Sequence, residues 1–280
     1  MCLYTLAIDA CKALDFTLCS FYYLEVLSMH LEKLVQYLNN FLEPEAVKDV
    51  SINGLQVPGA DIVNKVAVAT DASFDTFEAA IAKDCNFLFV HHGIFWNYNR
   101  EDRITPIKKK KLKYLFDNNL SLYASHLPLD LHPTCGNNQK LFELMELNKR
   151  QEMGFYQGVP IGLMGELSHP TSFSSFSETV AQRLNDKVKS FQFNDLPVRK
   201  VAMITGQGQS GITEAETAGF DTFITGEMNH YMYHIAKELC VNIILAGHYR
   251  TETLGPLAIG KHLKLQFDLD FEFLDFPTEL

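Results

Sequence analysis

The run Phe87-Leu88-Phe89-Val90-His91-His92-Gly93 decides how this chain folds. Four apolar residues without a polar break predict a strand buried on both faces, as in a parallel sheet covered by helices. The His-His-Gly that follows carries two imidazoles out at the edge where the backbone leaves the sheet. Two further runs end alike. Leu122-Tyr123-Ala124 leads into Ser125-His126, with Asp130 four residues on, and Ile243-Ile244-Leu245-Ala246 leads into Gly247-His248, with Glu252 four residues on. All three deliver His, Asp or Glu at strand C-terminal ends, the edge where open α/β sheets place their ligands. Imidazole and carboxylate without thiolate suit a hydrolytic divalent-metal site.

An internal repeat gives these distant residues a reason to meet. Lys65-Val66-Ala67-Val68-Ala69-Thr70 lies over Lys200-Val201-Ala202-Met203-Ile204-Thr205 without a gap, and in the same register Ala80 falls on Ala215 and Asn86–Val90 on Asp221–Thr225. Each copy reads strand, helix, strand, a right-handed βαβ unit with a parallel pair. His91-His92 then matches Gly226-Glu227, and Ser125-His126-x-x-x-Asp130 matches Gly247-His248-x-x-x-Glu252. The expected fold class is α/β, with two similar lobes whose strand ends face one cleft. The boundaries expected are 29–130 together with 240–280 for the first lobe and 131–239 for the second. Residues 1–28 form an extension outside both, and Met29, ahead of an amphipathic helical pattern through Leu38, reads as the natural start. Ser172 to Leu184 reads as a helix of the second lobe.

A lone histidine at a strand end is usually structural, but two adjacent imidazoles are costly to bury without partners. Neighbouring strand residues point to opposite faces, so one ion does not easily take both unless the chain turns, which Gly93 permits. Two ions can each take one histidine. Paired ions sit roughly 3.5–4 Å apart and need a bridging group, for which Glu252 is the natural candidate. Convergence of the strand ends would bring His91, His92, Asp130, His248 and Glu252 together, with Glu227 close by. His230 and His234 read as the surface of a following helix. Glu227-x-x-His230 and Glu166-x-x-His169 have di-iron bundle spacing, but Pro170 and the α/β pattern argue against a bundle. Gly206-Gln207-Gly208-Gln209-Ser210-Gly211 reads as a tight turn ahead of an anion cradle.

Composition narrows the classes. The 280 residues are 47% apolar and 21% charged, ordinary for a soluble globular chain. A formal net charge of -10 argues against general nucleic-acid binding. The basic run Lys108 to Lys111, with Lys113, reads as a solvated helix face. Six cysteines without a C-x-x-C pair fit reduced thiols in a cytoplasmic protein. No apolar run reaches the roughly 18 residues of a membrane helix. Phosphate-loop, nucleophile-elbow and nucleoside-deaminase motifs are missing.

The chain resembles the Nif-three-like family, also known as GTP cyclohydrolase 1 type 2 or YbgI-like dinuclear-metal proteins. The resemblance runs from about Met29 to the C-terminus. Its marks are Asn53-Gly54-Leu55-Gln56-Val57, Val90-His91-His92-Gly93, Ser125-His126-Leu127-Pro128-Leu129-Asp130, Ile224-Thr225-Gly226-Glu227 and Ala246-Gly247-His248-Tyr249-Arg250-Thr251-Glu252. It implies metal ligands at His91, His92, Asp130, His248 and Glu252, two α/β lobes, and a toroidal homo-hexamer with its sites facing an inner cavity. On this reading His91 holds one divalent ion and His92 the other, Asp130 and His248 complete the two sets, and Glu252 bridges. Zn, Fe, Mn, Co and Ni all suit such ligands. Glu227 or His126 would move protons in a metal-dependent hydrolysis, with a purine nucleotide such as GTP as the implied substrate. The alternative is a non-catalytic chaperone for metal or a metallocofactor, or an interaction scaffold, with the same ligands.

Overall fold

The computed structural model describes residues 28–97 and 103–278. The expectation for residues 1–28 lies, except for Ser28, outside the described residues. Met29–His30 (β1) pairs antiparallel with Ile62–Val63 (β3), with Gly54–Val57 (β2) between them in sequence. The amphipathic pattern after Met29 becomes the helix Leu31–Leu42, which buries Leu31, Leu34, Leu38 and Leu42 at the spacing of one helical face.

A five-stranded sheet is built from β2, Lys65–Asp71 (β4), Phe87–His92 (β5), Ser121–Ala124 (β6) and a late strand, Asp270–Phe273 (β13), in the order β13-β4-β5-β6-β2. The first four run parallel, and β2 closes the edge antiparallel to β6. The unbroken apolar reading of β5 has a direct cause. Phe87 and Phe89 pack in a core with Leu34, Leu38, Ile259 and Leu263. Leu88 and Val90 pack in another core with Phe77 and Leu115. Each face of the strand therefore meets its own helix layer, so no position can be polar.

The six-stranded sheet comprises Asn148–Tyr156 (β7), Val159–Thr171 (β8), Lys189–Phe191 (β9), Val198–Ile204 (β10), Thr222–Thr225 (β11) and Asn242–Leu245 (β12). Its order is β7-β8-β10-β11-β12-β9, with β10, β11 and β12 parallel. Here too β11 divides its side chains, Ile224 to one core and Phe223 to the other. The helix Phe173–Leu184 covers this sheet, capped by Ser172, whose hydroxyl accepts from Ser175 N.

One expected boundary moves. The chain does not return to the five-stranded sheet at residue 240, because β12 pairs with β11 from Thr222↔Asn242 to Thr225↔Leu245. The return comes with the helix Leu254–Phe267, which sends Ile259 and Leu263 into the core under β5 and leads to β13 beside β4. The basic run lies on the helix Pro106–Asp117, where Lys109, Lys110 and Lys113 are exposed. Glu166 and His169 sit on β8, which removes the helical bundle reading. Among the described residues no helix is long and apolar enough to cross a membrane.

Candidate metal centre

His91 and His92 end β5, their ring centroids 4.6 Å apart and their planes tilted by 45°. His91 is fully buried, and His92 is half-buried. The helical turn Leu127–Asp130 follows β6 and brings Asp130 up from the same sheet edge. The short helix His248–Glu252 follows β12, entered through Gly247 at φ 84°. The five residues therefore arrive from two sheets. His91, Asp130 and Glu252 form one group able to hold a metal ion, and His92, His248 and Glu252 form another.

The distances are close and the hydrogen-bond geometry is empty. His91 Nε2 lies 3.6 Å from Asp130 Oδ2 and 3.6 Å from Glu252 Oε1. Glu252 Oε2 lies 3.2 Å from His92 Nε2 and 3.0 Å from His248 Nε2. Yet His91 Nε2 and Glu252 Oε2 are buried with no hydrogen-bond partner. Orphaned buried polar atoms are rare and costly in native structures. A cation among them would satisfy both.

The outer ring nitrogens show which atoms face inward. His91 Nδ1 donates to Ser125 O at 2.9 Å, His92 Nδ1 to Asp71 Oδ1 at 2.8 Å, and His248 Nδ1 to Glu227 Oε1 at 3.0 Å. His126 Nδ1 likewise donates to Asp49 Oδ1 at 2.8 Å. A carbonyl or carboxylate can only accept, so each imidazole keeps a proton on Nδ1 and turns Nε2, the nitrogen a metal ion would take, toward the centre. Asp130 is prepared in the same way. Asn137 Nδ2 donates to its Oδ1 at 2.8 Å, leaving Oδ2 toward His91.

The buried imidazoles and carboxyls shift one another's protonation. Burial alone would lower the His91 pKa, but Asp130 and Glu252 outweigh it and hold it up at about 10. Burial likewise opposes charge on His248, and Glu252 and Glu227 lift it to about 9. Burial works against Glu252 ionising, yet the imidazoles around it keep its carboxyl well below the ordinary range. Asp130 is displaced upward, first by burial and then by the Glu252 charge. Two carboxylates and buried imidazole nitrogens held this way present N and O donors suited to a divalent ion.

The other expected residues fall into place around this core. His126 stands with its ring 5.0 Å from that of His91 and joins His91 and His92 in a third possible ligand group. Glu227 touches the centre only through His248 Nδ1. His230 and His234 meet edge to face on an exposed helix face and belong to no such group among the described residues. Gly93 does not use left-handed backbone. It supplies space, since a Cβ there would lie 2.4 Å from the Gln56 amide, whose Oε1 accepts from Ile94 N at 2.8 Å.

Two partners escaped the sequence reading. Asp71 ends β4 directly opposite His92 in the sheet register, so its place at a strand end beside β5 was a usable signal. Asp49 lies in a loop before β2 and gave none. The centre opens onto a cleft of about 680 Å³ bordered also by Trp96, Tyr156 and Gln207.

Comparison with known proteins identifies the family. Residues 29–279 match the family model Duf34/NIF3 (NGG1p interacting factor 3). The chain is 39% identical over 252 residues to a protein of Archaeoglobus fulgidus named GTP cyclohydrolase 1 type 2 homolog, covering 90% of this chain and 100% of the relative. A Pyrococcus horikoshii protein of the same name is 40% identical over 253 residues, again 90% and 100%. Among solved structures, protein ybgI, titled as of unknown function, matches with a TM-score of 0.84 at 34% identity over 90% of this chain and 100% of that one. The chain belongs to the DUF34/NIF3 family.

Proposed function

We propose that the protein is a dinuclear divalent-metal hydrolase acting on a nucleotide-like small molecule. The observation that carries the reading is the set of imidazoles fixed through Nδ1 whose Nε2 atoms converge on two carboxylates, with His91 Nε2 and Glu252 Oε2 left without hydrogen-bond partners. His91 and Asp130 would hold one ion, His92 and His248 the other, and Glu252 would lie between them. Zn, Fe, Mn, Co or Ni would suit these donors and would supply Lewis-acid activation for hydrolysis.

The chain's own groups do the rest. Asp71 and Glu227 orient His92 and His248 through their Nδ1 protons. His126, fixed by Asp49, presents Nε2 toward the cleft as a proton carrier for substrate. The relatives' name, GTP cyclohydrolase 1 type 2 homolog, supports a nucleotide-like substrate. The matching halves of the fold, β4-β5-β6 and β10-β11-β12, are consistent with an internal duplication. A toroidal homo-hexamer is part of the same proposal, and light scattering on the purified protein would measure it.

The deciding experiment loads protein of measured metal content with each candidate ion and assays a panel of nucleotides. Turnover that disappears in His91→Ala and Glu252→Ala, with circular dichroism unchanged, supports hydrolysis. Full turnover by metal-free protein overturns it. Exchangeable metal without turnover of any nucleotide favours a metal or metallocofactor carrier instead.

A further inference from the structure

Trp96 is the only tryptophan in the chain, and it borders the cleft between the metal centre and solvent. The indole is firmly placed. Its Nε1 donates to Gly93 O at 2.9 Å, and its ring stands 5.8 Å from His92 and 5.2 Å, edge to face, from His126. Its backbone is bridged to Ser51, with Ile52 N donating to Phe95 O at 3.1 Å and Asn97 N to Val50 O at 2.6 Å. A large flat side chain is thus pre-set at the rim of the imidazole–carboxylate cluster, which lowers the ordering cost of binding.

The rest of the wall has a definite chemical character. Gln207, exposed on the turn after β10, brings an amide to the cleft. An amide offers both a donor and an acceptor, the pattern that matches lactam and amino edges of a heterocycle. Among the described lining residues there is no Lys and no Arg, while Asp71, Asp130 and Glu252 contribute carboxylates. Those carboxylates would meet most of the charge of any divalent ions bound beside them. Phosphate chains are usually gripped by guanidinium, ammonium or a nest of N–H groups. The volume of about 680 Å³ suits a ligand of nucleoside size.

Resting on the metal-centre reading above, we propose that the cleft binds an uncharged, flat heteroaromatic ring of nucleobase type against Trp96, its edge hydrogen-bonded by Gln207, and that this ring, not a phosphate chain, carries the affinity. A nucleotide would then enter ring first, with any phosphates outside the gripped portion. Base–aromatic stacking tolerates many rings, so the Trp96 wall sets the class of ligand and Gln207 the preference within it.

Because Trp96 is the sole tryptophan, its fluorescence reports on this wall alone. Full-length protein, its metal content first measured by elemental analysis, is titrated with guanosine, cytidine, GTP and inorganic pyrophosphate. Guanosine should quench saturably, GTP should bind within about threefold of guanosine, and pyrophosphate should not displace guanosine. Equilibrium dialysis with labelled guanosine should show about tenfold weaker binding to Trp96→Leu, a smaller loss in Trp96→Phe, and unchanged metal content in both. Competition by pyrophosphate, or GTP binding more than about thirtyfold tighter than guanosine, would show phosphate anchoring and overturn the proposal. Wild-type guanosine affinity in a folded Trp96→Leu variant overturns it too. Metal-loaded protein that binds no nucleoside sinks the ring proposal and spares the metal centre. Metal-free protein that takes up no ion yet binds guanosine as described does the reverse.

Discussion

His126 donates from Nδ1 to Asp49 Oδ1 at 2.8 Å, tying the end of β6 to a loop that precedes β2. The Asp49 carboxylate is only 2% exposed and also accepts from Leu127 N at 2.9 Å, Asn53 Nδ2 at 3.0 Å and Ser51 N at 3.1 Å. Replacing it strands several buried donors at once. Asp49→Ala should lose roughly 3 kcal/mol of stability, read as a shift in urea midpoint. A loss smaller than about 1 kcal/mol would mean that water replaces the carboxylate without strain.

The same carboxylate gives an acid limb to stability. Burial opposes its ionisation, but the hydrogen bond and charge of His126 prevail, holding the Asp49 pKa down at about 2. A folded-state pKa below the unfolded value of about 3.9 contributes stability that is complete above that value. It is lost as pH falls from about 4 toward 2. Urea midpoints measured across this window should fall more steeply for wild type than for Asp49→Asn, and parallel curves would remove Asp49 as the cause.

Metal stoichiometry should follow the geometry. Glu252 belongs to two of the three metal-competent groups and is the carboxylate they share, whereas His248 belongs to one. Glu252→Ala should abolish binding of both ions, and His248→Ala should retain one, counted by elemental analysis after gel filtration. Equal loss in the two variants would argue that the ions bind as an inseparable pair.

Uptake of ions should expel protons. His91 and His248, held up at about 10 and about 9, carry protons on Nε2 in the metal-free protein at neutral pH. Ligation needs bare nitrogens, so about two protons should leave at pH 7. Calorimetry in buffers of different ionisation enthalpy would count them. Both pKa values lie above the unfolded histidine value, so their stabilising effect in the metal-free protein is complete below about 6.5. It fades as pH rises through 9 and 10. The melting temperature of metal-free protein should decline over that range, and that of metal-loaded protein should not follow it.

A glycine outside the ligand set should control the centre. Gly206 has φ +60°, and a Cβ there would sit 2.0 Å from Glu252 Oε1. Gly206→Ala should cost about 1 kcal/mol in backbone strain and, by pushing the Glu252 carboxylate aside, weaken metal binding at least tenfold. Folded Gly206→Ala with wild-type metal affinity would show that Glu252 has room to move.

Much of the centre was legible in advance, for a specific reason. A parallel strand covered on both faces must be apolar throughout, so Phe87–Val90 and Ile243–Leu245 announce themselves. The polar residue that ends such a run then stands at the sheet edge. The boundary expected at residue 240 failed because an apolar strand does not state which sheet it joins. That was settled by the β11–β12 pairing. The residue type of Gly93 says only that a turn is permitted there, whereas its role depends on Gln56 approaching from elsewhere in the chain.

By itself the amino-acid sequence determined the α/β alternation, the strand ends and the imidazole and carboxylate residues placed there, because burial and strand period are local properties. Only the tertiary structure decided which nitrogen of each imidazole faces inward. That choice belongs to acceptors distant in sequence: Asp71 for His92, Glu227 for His248, Asp49 for His126 and the Ser125 carbonyl for His91. An imidazole takes its tautomer from whatever meets its Nδ1, and that meeting exists only once neighbouring strands of each sheet have paired.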